Sequence, residues 1–160
     1  MTDTPIVLRE EQYEQIRTAL AKLRFEAVAR VVFLVDKNGQ SIATEGDVSN
    51  LDTTSLASLA AGNVAATGGM ARLIGEKEFP TLSHEGEHES IHICVIGRAL
   101  LVVVFDERSS LGLIKLRVKQ AARDLSAILE KIVSIQNQKK SETAALFAEI
   151  TDEDIDSLFS

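Results

Sequence analysis

The sequence is poor in several things at once: it has one cysteine, 4% aromatic residues and no surplus of basic charge. A single cysteine, Cys94, excludes an intrachain disulfide framework and fits a reducing compartment, so the expected location is the cytoplasm. No apolar run approaches the roughly 18 residues that a membrane-spanning helix needs. The N-terminal stretch MTDTPIVLREEQYEQ has neither the basic nor the apolar region of a signal peptide. Scarce aromatics and the missing basic excess argue against nucleic-acid binding. The net charge of −7 is concentrated at one end, where Glu142, Glu149, Asp152, Glu153, Asp154 and Asp156 stand without a Lys or Arg between residues 142 and 160. The rest of the chain is close to neutral.

Recognisable catalytic chemistry is missing as well. A phosphate-cradling P-loop does not form at Gly69 and Gly75, because Glu76 stands where its lysine is needed. No G-x-S-x-G nucleophile elbow occurs. His84 and His88, with Glu85 and Glu87 beside them, fall in a hairpin loop without a second ligand pair, so no metal is expected. His92 and Cys94 alternate on one strand and read as a filled sheet-face pair rather than a dyad. The expectation is a chain with no active site of its own, no cofactor and no metal.

What is present reads as one domain of ordinary composition, 45% apolar and 26% charged, large enough for a core without staples. Residues 9–28 form an amphipathic helix, with Tyr13, Ile16, Leu20, Leu23 and Ala27 on one side. RVVFLVD (30–36) and QSIATE (40–45) are strands joined by a tight turn at Lys37-Asn38-Gly39. Pro80 breaks helix, and a short strand Thr81–Ser83 precedes SIHICVI (90–96) and ALLVVVFD (99–106). Ser109 or Ser110 caps a last long helix whose stripe is Leu111, Ile114, Val118, Ala121, Leu125, Ile128, Ile132 and Ile135. The order α-β-β-α-β-β-β-α with short turns predicts an α+β fold. It is a sandwich with a five-stranded antiparallel sheet, the first and last helices on one face and the central helix on the other. The strand at Thr81, Leu82 and Ser83 is the expected edge, where a two-fold pairing with a second copy would set two central helices side by side. Residues 1–135 then make the domain and 136–149 a polar, flexible linker. Residues 150–160 make an acidic segment with a capping box at Thr151–Asp154 and Ile155, Leu158 and Phe159 at helical spacing.

The central helix, LDTTSLASLAAGNVAATGGMARLI (51–74), is the unusual element. Asp52 is its N-cap, and Leu51 and Leu56 form a hydrophobic staple. Leu56, Leu59, Asn63, Thr67, Met70 and Ile74 share one side, flanked by Ala60, Val64 and Ala71, and are expected on the core. The opposite side carries Ser58, Ala61, Gly62, Ala65, Gly68, Gly69 and Arg72. A solvated helix face normally carries Glu, Lys and Gln. Each glycine in a helix costs about 0.8–1 kcal/mol relative to alanine, so something should offset three of them. The bare side is therefore read as a docking surface for a closely approaching partner.

Three segments carry a family resemblance: VVFLVDKNGQ (31–40), LDTTSLASLAAGNVAATGGMARLIGE (51–76) and ALLVVVFDERSSLGLIKLRV (99–118). They resemble the bacterial members of the roadblock/dynein light chain family, over nearly the whole chain and including the tail DEDIDSLF. The resemblance implies a roadblock-type α/β/α sandwich and a homodimer with a continuous sheet and paired central helices. It implies a small Ras-like GTPase of the MglA type seated on two copies, and GTPase activation in a polarity switch for motility at a cell pole. It implies no arginine finger, the dimer instead repositioning the GTPase's own catalytic residues. It also implies a C-terminal extension that contacts the GTPase and influences nucleotide exchange. Two other readings stay open: a scaffold that binds a GTPase or motor-like complex without accelerating hydrolysis, and a small-ligand sensor using Asn63 and Thr67.

Overall fold

The sheet is built around two buried central strands. β1 (Val31–Asp36) and β5 (Ala99–Asp106) pair antiparallel at its centre and are buried along almost their whole length. Their unbroken apolar runs follow from cover on both faces. In the computed structural model, which describes residues 8–148, the other strands are β2 (Ser41–Gly46), β3 (Thr81–Glu85) and β4 (Glu89–Ile96). The five form one antiparallel sheet in the order β2-β1-β5-β4-β3. Thr81, Leu82 and Ser83 therefore lie on an outer strand, as expected, and β3 reaches two residues further than the sequence suggested. At the other edge α1 (Glu10–Ala27) packs along β2, and Arg17 Nε donates to Glu45 Oε1 at 2.9 Å.

One face of the sheet is covered by α1 and α3 (Leu111–Ala148). Ile16, Leu20 and Leu23 from α1 and Ile114, Val118 and Leu125 from α3 pack on Val32, Leu34, Leu101 and Val103. The DERSSLGL segment stitches this layer together. Asp106 accepts from the Arg108 backbone N–H at 3.0 Å, Ser109 Oγ donates to the Ala27 carbonyl, and Ser110 Oγ accepts from Leu113 N–H at 3.2 Å as the cap of α3. Of the stripe read from sequence, Ile114, Val118, Ala121, Leu125 and Ile132 are buried and Leu111, Ile128 and Ile135 half-buried, while Leu129, outside it, is buried as well. The helix does not stop where the stripe ends: residues 136–148, expected as a linker, continue α3 without a break to Ala148. At 1.5 Å per residue its 38 residues span about 57 Å. The acidic segment with Ile155, Leu158 and Phe159 lies outside the described residues.

The other face carries only α2 (Thr53–Leu73), and here the expected orientation is overturned. The residues buried on Val31, Phe33, Leu100 and Val102 are Ala57 and Ala60, with Ala61 and Val64 beside them, and Ala71 is buried further along. Leu59, Met70 and Ile74, expected on the core, are 69%, 62% and 71% exposed. Gly68, expected outside, is buried. The buried set is the predicted set moved on by about one residue, a roll of about 100°. The cause is steric: alanines let a helix backbone come close to the flat centre of a sheet, and longer side chains are left pointing away.

Candidate functional site

The candidate site is the outer side of α2, and it is built from its N-terminus. The Asp52 carboxylate accepts from Ser55 N–H at 3.0 Å and from Ser55 Oγ at 2.7 Å, bonds that hold its pKa below the usual carboxylate value. Leu51 and Leu56 both pack on the α2 side of the core, completing the staple. On one flank, Ser58 and Ala61 lie against the β1–β2 turn at Gly39, whose φ is +90°. A Cβ there would sit 3.1 Å from Ser58 Cα, so the turn requires glycine. On the other flank Asn63 Oδ1 lies 3.4 Å from His84 Nε2 on β3. Below, Lys37 and Glu78 form an exposed ion pair at 3.8 Å.

Of the residues expected at the docking surface, Ser58, Gly62, Ala65 and Arg72 are exposed, Ala61 and Gly69 half-buried and Gly68 buried. A Cβ at Gly62 or Gly69 would meet nothing within 4 Å, and one at Gly68 only Arg72 Nη1 at 3.9 Å. No neighbour among the described residues therefore requires these three glycines. The roll of the helix adds Leu59, Met70, Leu73 and Ile74 to the same open side, and sequence reasoning missed them as surface residues. Covering such side chains contributes about 1–2 kcal/mol each. A signal was available: Arg72 is the only charged residue in α2, so neither side of the helix is written for water. Arg72 stands in the last turn, where a cation suits the helix dipole, and has no ion pair among the described residues.

The remaining polar groups are engaged locally. Thr67 Oγ1 donates to the Asn63 carbonyl at 2.9 Å, which leaves the suggested small-ligand pair without an open hydroxyl. His88 Nδ1 lies 2.9 Å from Glu107 Oε1 while His84 faces Asn63, so the two histidines do not converge. Among the described residues no group of three His, Cys, Asp or Glu could hold a metal. His92 is buried, 2.7 Å from Ser83 Oγ, and burial pushes its pKa down, with Lys115 adding to the shift. Burial pushes the Cys94 thiol up. A neutral imidazole beside a protonated thiol is packing, not a dyad. A second concavity, at the end of the sheet, contains Arg30 and Arg108. Arg30 Nη1 donates to both Glu89 oxygens at 2.7 and 2.8 Å, and Arg108 Nη2 to Asp106 Oδ2 at 2.9 Å, so these guanidinium charges are spent within the chain. No helix among the described residues is long and apolar enough to cross a membrane.

Comparisons with known proteins bear on this arrangement. Residues 17–105 match the model of the Roadblock/LC7 domain. The structure is similar to that of Myxococcus xanthus MglB, with 53% sequence identity and a TM-score of 0.74 over 79% of this chain and 96% of that one. It is also similar to the gliding protein MglB of Thermus thermophilus, at 35% identity and a TM-score of 0.76 over 81% and 99% of the two chains. A structure described as MglB with a tetrameric arrangement matches at 35% identity and a TM-score of 0.77, over 82% and 99%. Among curated proteins none matches the sequence.

Proposed function

Since the chain belongs to the Roadblock/LC7 family and is a roadblock-domain protein of the MglB type, we propose that its dimer activates GTP hydrolysis by a small Ras-like GTPase of the MglA type. The single observation behind this reading is the outer side of α2: uncharged but for Arg72, carrying four exposed large apolar side chains, and with glycines at 62 and 69 that no neighbour among the described residues requires. Such a surface suits a folded partner that comes close to the helix backbone. Pairing of Thr81, Leu82 and Ser83 with the same strand of a second copy would bring two α2 helices into one platform, and one GTPase would rest on both.

Phosphoryl transfer needs positioning and charge stabilisation more than new covalent chemistry, so a platform without catalytic residues can accelerate it by ordering the GTPase's own groups. In this reading Ser58, Ala61, Gly62, Ala65, Gly69 and Arg72 touch the partner, and Ile155, Leu158 and Phe159 contact the GTPase and modulate nucleotide exchange. The cellular role is control of polarity and gliding motility from a cell pole, in keeping with the Thermus relative's description as a gliding protein. The test is a single-turnover GTP hydrolysis assay with and without the chain, repeated with Ala65→Glu and Gly69→Glu. Both positions have room for the new side chain, so the fold is expected to survive while stimulation is lost. Binding without acceleration by the unmodified chain would instead favour a non-catalytic scaffold.

A further inference from the structure

The end of α3 carries a pattern that packing among the described residues does not use. Beyond Ile132, its last buried residue, the helix runs on to Ala148, a further stretch of about 24 Å. From residue 137 to Ala148 every side chain is exposed, Leu146 by 67%. A helical projection of that length without cover is marginal in water. Its residues nevertheless keep strict steps of four and three: Ile128, Ile132, Ile135, Lys139, Glu142 and Leu146. That is the seven-residue repeat by which one helix offers a seam to another. Ile135 and Lys139 also line a groove of about 620 Å³ that is shared with Arg9 and Gln12 at the start of α1.

We propose that this seam pairs antiparallel with the same seam of a second copy of the chain. The order of residues along it selects both the occupant and the direction. With Ile135 opposite Leu146 of the second copy, Lys139 falls opposite its Glu142, and two-fold symmetry repeats both matches in reverse. Four layers result, apolar at the two ends and oppositely charged at the two in the middle. One register serves the apolar and the charged layers alike, so charge is not the sole guide. The parallel alternative fails, because Lys139 would meet Lys139 and Glu142 would meet Glu142. The groove beside Ile135 leaves room for the incoming leucine. Four layers bury far less than the roughly 1,600 Å² of a standard interface, so the pairing is weak and grows with concentration.

This contact is separate from the one proposed at β3. Leu129 and Val133 line one cavity with Gly97 and Arg98 of the β4–β5 turn, so α3 leaves the sheet at that end. A two-fold axis between antiparallel β3 strands would set the two turns at opposite ends of the joined sheet. The two projections would then point apart, and each would meet a further copy. The inference concerns this chain alone and stands without the GTPase reading.

The test is sedimentation equilibrium of the full chain, without any GTPase, over a concentration series reaching the millimolar range. The floor mass at low concentration is that of one chain, 17.4 kDa, or of two if β3 also pairs, and either floor leaves the test intact. The expected result is a rise above that floor in the unmodified chain. Lys139→Glu alone, or Glu142→Lys alone, sets like charges in both middle layers and weakens association by about tenfold or more. An equal mixture of these two variants restores the rise, because each supplies the charge that the other has reversed. The double variant, Lys139→Glu with Glu142→Lys, restores it as well. Circular dichroism and unchanged sheet amide resonances show that each variant is folded. Single variants that associate as the unmodified chain does overturn the proposal. A mixture that stays at the floor while the double variant recovers overturns it too, since the two charges then act within one helix. Absence of any rise in the unmodified chain at millimolar concentration overturns it equally.

Discussion

Replacing Gly62 and Gly69 together by alanine separates stability from docking. Both lie inside α2, where each glycine-to-alanine change is worth about 0.8–1 kcal/mol in helix propensity. Neither added methyl meets an atom within 4 Å. The pair should therefore stabilise the chain by about 1.6–2 kcal/mol. For a domain of this size each kcal/mol raises Tm by about 2–4 °C, so an increase of about 3–8 °C is expected. Thermal unfolding followed by circular dichroism at several protein concentrations reads this, the concentration series exposing any contribution from association. Gly39→Ala is the internal control. At φ +90° with Ser58 Cα 3.1 Å from the new atom, it should lower Tm although it borders the same helix. If the proposed docking holds, stimulation of GTP hydrolysis should move oppositely to stability in the Gly62/Gly69 double variant, because the two methyls would stand where the partner backbone approaches. A fall in Tm for that variant would refute the reasoning, since it would mean that another part of the folded assembly already fills the space over the helix.

Arg72→Ala should reduce stimulation of hydrolysis only a few-fold, as a rim contact does; a loss of about 10³–10⁵ in single-turnover rate would identify an arginine finger instead. Removing residues 150–160 should weaken GTPase affinity or nucleotide exchange and leave the dimer intact by light scattering; no change in either makes the segment an inert end. Stability should also depend on pH through His92. Its folded pKa lies below the ordinary value of 6.5, so the unfolded chain binds the extra proton first. The contribution is whole above that value and declines as pH falls through it towards the lower folded pKa. His92→Gln should flatten Tm against pH in this window, and an unchanged slope would reassign the effect.

Residue pattern alone gave the elements with one wet side and those with none. α1 and α3 alternate charge and bulk at helical spacing, and β1 and β5 are apolar throughout because both faces are covered, so order, layers and the β3 edge were all readable. The roll of α2 was not. Its two sides differ in size and not in polarity, and the rule that bulk faces inward fails where alanine allows close contact with a sheet. Exposure along α2 therefore differs from the expected one: Gly68 is covered, and Leu59, Met70, Leu73 and Ile74 are open. The end of α3 was misread for a related reason. QNQKKSETAALFA looks like a linker by its polarity, yet Gln, Lys, Glu and Ala are good helix formers and no Gly or Pro stops them.

The two margins of the sheet are unlike, and that limits how large an assembly can become. β3 offers bare backbone for five residues, whereas β2 is shadowed by α1 and tied to it through Arg17 and Glu45. Joining two β3 margins about a two-fold axis would leave a shielded β2 at both outer ends, with nothing further to recruit. Growth by that route ends at two chains, and larger bodies would need a different surface.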